Sequence, residues 1–278
     1  MGKVHDALIK ADKERGVVVP VSAAFSQKPN PDGKDNPLPF EVLNRTLTDR
    51  KLDRNLISYY APQSHEAELF KMLRNNILFP RKGKPPRSIM VTSPMPEEGK
   101  SFVSANLAIS IAQGVEDHVM LIDCDMRRSS VHKLFGFDEI PPGLSEYLSK
   151  GTSLSSLLVK TDIKKLTLLS GGTPPPNPSE LLSSQPMARL LDEVKERYSD
   201  RYIIIDSPPP HLTSETSALS KSVDAIVLVV RSGKTPQRLA KEIVNKLGKE
   251  KILGVVLNWF KMKSSGYYGY GKNQNYFK

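Results

Sequence analysis

The stretch Ser-Ile-Met-Val-Thr-Ser-Pro-Met-Pro-Glu-Glu-Gly-Lys-Ser, residues 88–101, decides the fold of this chain. It predicts a buried strand, then a loop, then a helix that starts at Gly99-Lys100-Ser101. The first backbone N–H groups of a helix have no partner within it, and they lie at the positive end of its dipole. A lysine and a hydroxyl at that point are typical of a loop that binds nucleotide phosphates and Mg²⁺.

The loop departs from a full Walker A motif in two ways. Pro94 stands where that motif has glycine, and Glu97 and Glu98 bring negative charge to a site that should bind anions. We expect both glutamates to face solvent, which leaves the backbone amides free for phosphate. Alone, the loop indicates phosphate binding without choosing among ATPases.

Working outward, the residues after 88 alternate between β and α patterns. Strands this apolar are covered on both faces, which predicts an α/β fold with a doubly wound, mostly parallel sheet and ligands at the carboxyl ends of the strands. The predicted strands are 88–92, 118–123, 166–170, 202–206, 224–230 and 252–258. The predicted helices are 64–78, 102–113, 144–149, 187–198, 214–220 and 236–247.

Two of these strands end in acids. Asp123 is the last residue of the second predicted strand and Asp125 comes shortly after it, while Asp206 is the last residue of the fourth. An acid at the end of an apolar strand is costly unless it leaves the core at the sheet edge, where it holds a metal or caps a helix. Capping explains each acid alone, whereas the acids together with Gly99-Lys100-Ser101 favour a Mg-ATP site. Cys124 should point away as a small buried side chain.

Composition divides the chain into three parts. Residues 1–60 combine a short amphipathic helix, with Val4 and Leu8 on its apolar face, and a Pro-rich linker. Residues 61–260 form the P-loop domain, and residues 261–278 form a disordered tail rich in tyrosine. The single cysteine, and apolar runs much shorter than the roughly 20 residues of a membrane span, lead us to expect a cytoplasmic protein.

The formal net charge of +10 suggests an anionic partner. Nucleotide phosphate, nucleic acid, anionic lipid and acidic polysaccharide all qualify, and so does plain solvation by surface lysines. The tail, which includes Tyr267, Tyr268, Tyr270 and Tyr276, could by composition alone stack on nucleic-acid bases. Charge does not choose among these partners.

Three segments together resemble the motifs of one family. Residues 91–101, 121–128 and 203–209 are similar to the Walker A, Walker A′ and Walker B motifs of the bacterial tyrosine kinases, the autokinases of polysaccharide export. The resemblance implies a P-loop NTPase fold of the MinD/ParA (SIMIBI) type that transfers phosphate from ATP, with Mg²⁺, to tyrosine. It makes Tyr267, Tyr268, Tyr270 and Tyr276 the expected autophosphorylation sites. With that resemblance, we expect no nucleic acid among the binding partners.

The same resemblance implies roles for individual residues. Lys100, Asp123 and Asp125 would be catalytic, with Asp123 orienting or deprotonating the tyrosine. The implied nucleotide contacts are Glu98, Gly99, Lys100, Ser101, Phe102 and Asn258. The implied metal ligands are Ser101, Asp123 and Asp206.

A predicted helix resembles the family's subunit-contact helix. Glu68, Lys71 and Arg74 match its Glu-x-x-Arg-x-x-Arg pattern, with Lys71 in place of the first arginine. An ordinary pair within one helix between Glu68 and Lys71 is the alternative. The resemblance implies a homo-oligomer, either a ring or a dimer. It also implies two partners: a membrane polysaccharide copolymerase that recruits the kinase to the inner face of the membrane, and a tyrosine phosphatase. The N-terminal segment looks closest to stand-alone autokinases of exosortase-type exopolysaccharide systems.

Two other functions remain open from the sequence. Positioning ATPases of the ParA and MinD type share the fold but carry a second lysine early in the loop, where this chain has Met95. A degenerate nucleotide-binding adaptor is the other alternative, although Lys100, Ser101, Asp123 and Asp206 argue against it.

Overall fold

The computed structural model describes residues 51–80, 83–197, 201–210 and 215–260. The predicted N-terminal helix, most of the linker and the tyrosine-rich tail lie outside these residues.

The described chain forms ten α-helices, one short 3-10 helix (Lys249–Lys251) and seven strands. The helices are α1 (Ile57–Tyr60), α2 (His65–Leu78), α3 (Lys100–Ala112), α4 (Val131–Leu134), α5 (Leu144–Lys150), α6 (Leu154–Leu157), α7 (Pro178–Leu182), α8 (Gln185–Arg197), α9 (Glu215–Ser222) and α10 (Gln237–Leu247). The strands are β1 (Ser88–Thr92), β2 (His118–Asp123), β3 (Leu158–Lys160), β4 (Leu166–Leu169), β5 (Arg201–Asp206), β6 (Ala225–Arg231) and β7 (Ile252–Asn258).

The strands form one sheet in the order β3-β4-β2-β5-β1-β6-β7. All neighbours are parallel except β3 and β4, so the predicted doubly wound, mostly parallel α/β fold is confirmed. The order places β1 near the middle, with β5 and β2 on one side and β6 and β7 on the other. The loop after β1 therefore lies between the ends of β5 and β6.

The sheet separates two apolar clusters, because consecutive strand residues point to opposite faces. In β5, Ile203 and Ile205 pack in one cluster, whereas Ile204 packs in the other. Helix α3 lies in the second cluster and is buried along nearly its whole length. A helix so enclosed gives the loop before it a fixed support.

Helix α2 begins as the sequence predicts. The Ser64 hydroxyl accepts a hydrogen bond from the Ala67 backbone N–H at 3.1 Å, and Glu66 and Glu68 lie in the first turn. The hydroxyl caps one unpaired N–H, and the acids interact favourably with the helix dipole. The helix ends at Leu78.

The expected boundary at residue 61 lies too far along the chain. Leu52 and Leu56 are buried in the core, and Asn106 of α3 accepts a hydrogen bond from the Ser58 backbone N–H at 2.9 Å. The sequence did not predict this packing, because the segment follows a Pro-rich stretch and the residues that contact the two leucines are far away in the sequence. The folded part thus includes residues 51–60.

Within the part of the chain that is described, every helix is too short or too polar to cross a bilayer.

Candidate active site

The loop between β1 and α3 is shaped by a left-handed glycine. Gly99 has φ of 91°, which residues with a Cβ rarely adopt, and it caps the helix that starts at Lys100. A Cβ at Gly99 would also overlap the side-chain amide of Asn258. Glycine is therefore required here for two reasons, and the backbone can approach a phosphate closely.

The two loop glutamates behave differently. Glu97 is exposed, as expected, but the expectation that Glu98 faces solvent is wrong, because its side chain is buried. One carboxylate oxygen of Glu98 accepts from the Met95 backbone N–H at 2.9 Å, and the other accepts from the Thr235 hydroxyl. Each oxygen of the buried carboxylate thus accepts one hydrogen bond. Glu98 therefore holds the loop from inside, and the loop N–H of Met95 is already occupied.

One side of the loop carries the three acids. Lys100 Nζ lies 3.0 Å from Asp125 Oδ2, and the Ser101 hydroxyl donates to Asp206 Oδ2 at 2.7 Å. Ser104, one turn further along α3, donates its hydroxyl to the other oxygen of Asp206 at 3.1 Å. The structure thus brings the P-loop and the strand-end acids together, as predicted. We call Asp123, Asp125 and Asp206 the acidic flank.

Asp123 is anchored by four donors. Its Oδ2 accepts from the Ser129 hydroxyl at 2.8 Å and from two backbone N–H groups, those of Ser130 at 3.1 Å and Val131 at 3.2 Å. Its Oδ1 accepts from the Asp125 N–H at 3.0 Å. Asp123 therefore binds the N-terminal end of α4, which agrees with the expected capping role. Its charge acts on Lys100 and Asp206, and its role in catalysis or metal binding remains a prediction.

The acidic flank is short of positive charge. Burial and the neighbouring charge of Asp206 raise the pKa of Asp123 to about 7, although its hydrogen bonds from Ser129 and Val131 oppose this. Burial also raises the pKa of Asp206, against the charge of Lys100. Burial alone would lower the pKa of Lys100, but Asp206 and Asp125 outweigh it and raise that pKa. One lysine does not neutralise three acids.

This donor set fits Mg²⁺. The ion prefers oxygen ligands and usually combines one or two protein groups with waters and phosphate oxygens. Ser101 Oγ and Asp206 Oδ2, which lie 2.7 Å apart, offer such oxygens, and the charge of Asp123 is close enough to act on Asp206. One lysine faces these acids, so the site has negative charge left for a cation. Among the described residues no three or more His, Cys, Asp or Glu form a protein-only metal cage, so the phosphates would have to supply part of the coordination.

The other side of the loop has a different character. Asn258, at the end of β7, donates its amide to the Glu98 carbonyl at 2.8 Å and accepts from the Trp259 N–H at 2.9 Å. The Arg231 guanidinium lies 4.6 Å from the centre of the Trp259 ring. We call Arg231, Thr235, Asn258 and Trp259 the aromatic flank.

Sequence reasoning singled out only Asn258 from this flank. Arg231 and Trp259 each lie at or just past the carboxyl end of a predicted strand, and that position was the available signal. Thr235 gave no signal, because its contact with Glu98 spans 137 positions. The contact of Asn258 with a nucleotide base remains a prediction.

The expected subunit-contact residues lie on α2, which packs along α3. Lys71 Nζ and Glu68 Oε2 are 3.1 Å apart on the surface, so the alternative of a pair within the helix is present. Arg74 donates to the Ser110 carbonyl near the end of α3 at 2.9 Å. Arg74 is therefore tied to its own domain, and contact between subunits remains a prediction.

With this geometry described, comparisons with known proteins become informative. The chain matches the family model of the CobQ/CobB/MinD/ParA nucleotide-binding domain (CbiA) over residues 89–267. The tyrosine-protein kinase YwqD of Bacillus subtilis is 37% identical over 229 residues, which are 81% of this chain and 95% of that protein. The putative tyrosine-protein kinase CapB of Staphylococcus aureus is 34% identical, over 76% of this chain and 93% of that protein.

A solved structure agrees with these relatives. The kinase domain of the Escherichia coli tyrosine kinase ETK superposes with a TM-score of 0.71 at 30% identity, over 81% of this chain and 87% of that one. The fold and the P-loop site define a nucleotide-binding P-loop protein. Within that class, the chain belongs to the CobQ/CobB/MinD/ParA family and to its bacterial tyrosine kinases.

Proposed function

We propose that this kinase uses Mg-ATP to phosphorylate tyrosines of its own C-terminal tail, between subunits, and thereby regulates exopolysaccharide polymerisation or export. The observation that carries the proposal is the contact of Lys100 and Ser101, at the start of α3, with Asp125 and Asp206. The candidate acceptors are Tyr267, Tyr268, Tyr270 and Tyr276. Names of relatives such as CapB support the family but not the choice of acceptor.

Phosphoryl transfer depends mainly on positioning and on neutralising charge, because its transition state is loose. The backbone N–H groups at Gly99 and Lys100 would hold the β- and γ-phosphates, as the N-terminus of a helix favours anions. Mg²⁺, when bound, would neutralise the phosphate oxygens, with Ser101 and Asp206 as its protein contacts. Phe102, the other implied nucleotide contact in the first turn of α3, follows Ser101 directly.

Asp123 is the proposed base. A tyrosine hydroxyl has an ordinary pKa of about 10 and is a weak nucleophile until its proton is accepted. The raised pKa of Asp123, about 7, matches a group that accepts a proton near neutral pH. Asp125 would serve as the resting partner of Lys100, from which ATP phosphates draw the lysine away.

The last strand of the described chain ends near the site. Strand β7 ends at Asn258, at the same sheet edge as the P-loop. From Asn258 to Tyr267 an extended chain reaches about 30 Å, enough for its own site or that of a neighbouring subunit. Transfer between subunits would use an oligomer, a ring or a dimer, in which Glu68, Lys71 and Arg74 contact the next copy.

The central test is direct mapping of phosphate. Purified full-length protein is incubated with Mg-ATP, and modified residues are located by mass spectrometry. We expect phosphate on the tail tyrosines of the wild-type protein and none on those of Lys100→Met. Lys195→Met is the control and should be labelled normally, because the ion-pair partners of Lys195 are Asp192 and Asp224 and not the acids of the site. If the wild-type protein hydrolysed ATP but its tail stayed unmodified, the kinase proposal would be wrong and the result would favour a positioning ATPase.

Transfer between subunits needs a second experiment. Lys100→Met protein, which keeps its tail, is mixed with a protein whose tail tyrosines are all phenylalanine. We expect phosphate on the Lys100→Met tail, and its absence while wild-type protein labels itself would place transfer within one subunit. A membrane polysaccharide copolymerase as activator and a tyrosine phosphatase as antagonist are the partners that we propose for this cycle.

A further inference from the structure

Trp259 has an unusual position. It is the single tryptophan of the chain, it follows β7 directly, and its side chain is 61% exposed. Its φ of 59° lies in the left-handed region, which costs a residue with a bulky side chain free energy. Its indole Nε1 lies 3.9 Å from where a Cβ of Gly99 would be. The ring therefore lies beside the P-loop, held in a conformation that a tryptophan rarely adopts.

The surrounding bonds hold the ring in this place. Asn258 Oδ1 accepts from the Trp259 N–H, and the Asn258 carbonyl accepts from the Ser232 N–H at 2.9 Å. The Arg231 N–H donates to the Thr235 hydroxyl at 2.8 Å, while its guanidinium covers one face of the indole. A cation over one face of an aromatic ring fixes the ring by electrostatic attraction.

The acidic flank gives a bound nucleotide its direction. Lys100 and Ser101 contact Asp125, which follows β2, and Asp206, which ends β5, so the terminal phosphates and Mg²⁺ belong on that side. The base is at the other end of the nucleotide. Because β6 and β7 lie on the opposite side of β1, the base would extend towards the ends of those two strands. Arg231 and Trp259 lie there.

We propose that the Trp259 indole, supported by Arg231, is the stacking platform for the base of the bound nucleotide. This inference rests on the proposed nucleotide site, and it adds a contact outside the P-loop. Stacking on an aromatic ring suits a planar base and needs no hydrogen bonds to its edge. Asn258 then acts mainly by fixing the backbone of Trp259 and the carbonyl of Glu98.

The single tryptophan provides its own reporter. The full-length protein is titrated with Mg-ADP and, separately, with Mg-tripolyphosphate, which lacks base and sugar, while tryptophan emission is followed with excitation beyond the tyrosine absorption. We expect Mg-ADP to quench the emission and tripolyphosphate to leave it nearly unchanged. Equal quenching by both ligands would overturn the proposal, because movement of the loop alone would then explain the signal.

Calorimetric affinities complete the test. Trp259→Ala should weaken ADP binding about tenfold and tripolyphosphate binding less than about twofold, whereas Trp259→Phe should keep ADP binding within about threefold. Phe79→Ala, which removes an aromatic side chain that is 75% exposed directly after α2, is the matched control and should bind ADP as wild type does. Unchanged ADP affinity in Trp259→Ala would overturn the platform but leave the P-loop site intact. A wild-type protein that binds neither ligand would instead overturn the nucleotide site itself, and the platform with it.

Discussion

The two sides of the P-loop contrast in burial and in charge. On the acidic flank, Asp123 and Asp206 are fully buried and Asp125 is nearly so, and burial acts against the charged forms of Asp123 and Asp206. On the aromatic flank, Trp259 is mostly exposed and Arg231 lies over its ring. The acidic flank is thus costly to the folded state through the burial of its charges, whereas the cost of the aromatic flank lies in the backbone of Trp259 and not in buried charge.

The contrast indicates a division of tasks. Groups held in an unfavourable state are typical of sites that stabilise charge during a reaction, because their strain is relieved when the partner charge arrives. An exposed ring over a cation adds affinity without lowering a reaction barrier. Changes on the acidic flank should therefore alter the rate of transfer, and changes on the aromatic flank should alter nucleotide affinity.

The largest effect is expected for Asp206→Asn. We expect tail phosphorylation at saturating ATP to fall at least about a hundredfold, because the variant removes charge that would hold Lys100 and Mg²⁺. The thermal midpoint without nucleotide should rise at pH 8, because the ionised carboxylate is disfavoured in the folded state. Rates by mass spectrometry and midpoints by calorimetry measure both.

Asp224→Asn is the matched control for this variant. Asp224 precedes β6 at the opposite edge of the sheet and accepts from the N–H groups of Arg87 and Ser88, and these bonds help to lower its pKa despite its burial. This variant should lower the midpoint and keep the phosphorylation rate within about twofold of wild type. If Asp206→Asn and Asp224→Asn changed the rate and the midpoint in the same way, the claim that the acidic flank controls the rate of transfer would be wrong.

The second prediction concerns pH. A carboxylate whose folded pKa is raised contributes stability that is present below its ordinary pKa of about 4 and is lost as pH rises towards the folded value. For Asp123 that value is about 7. Because the charge of Asp206 helps to raise the pKa of Asp123, and the pKa of Asp206 is itself raised, Asp206→Asn should lessen this loss. The midpoint of the variant minus that of wild type should therefore increase from pH 5 to pH 8.

His132 makes this subtraction necessary. Its pKa is lowered by burial, so it contributes stability above pH of about 6.5 that is lost as pH falls. The effect of His132 on stability therefore has the opposite pH dependence to that of the acids. Because both the variant and the wild-type protein contain His132, its effect cancels in the difference between their midpoints. A midpoint difference independent of pH would contradict the raised pKa values of Asp123 and Asp206.

Local patterns predicted the fold and most of the acidic flank. The bounds of β1, β2 and β7 match the sequence-based ranges, because each is an apolar run that ends in a polar residue or a turn. The antiparallel strand β3 was missed, since three residues are too few for a periodic pattern. The convergence of Lys100, Asp125 and Asp206 followed from the rule that parallel strands end at one edge.

What could not be predicted depends on contacts distant in the sequence. The sequence leads us to expect Glu98 in solvent, where it leaves the backbone amides free for phosphate, but its partner Thr235 lies after β6 and is not visible from the loop sequence. Leu52 and Leu56 were assigned to a linker for the same reason, since their packing on the domain leaves no periodic signal. The cation over Trp259 is likewise a product of the fold.

A smaller effect is expected for Glu98→Ala. The change leaves the Met95 N–H and the Thr235 hydroxyl without their acceptor, and it loosens the loop on the side of the aromatic flank. We expect ADP affinity, measured by calorimetry, to weaken about fivefold, whereas the rate at saturating ATP should change less than about threefold. A hundredfold loss of rate with unchanged affinity would move Glu98 to the catalytic side of the contrast.

The smallest effect is expected for Glu97→Gly. Glu97 is exposed and has a φ of 60°, a backbone conformation that glycine adopts without strain. The gain from relieved strain is offset by the greater freedom of glycine in the unfolded chain, so the midpoint should change little. ADP affinity should stay close to wild type, because a solvated charge interacts weakly with the phosphates. Glu97→Gln, which removes the charge but keeps the side chain, separates the two causes. A gain in affinity beyond about tenfold in both variants would mean that Glu97 faces the phosphates, and the negative charge of the site would then extend beyond the acidic flank.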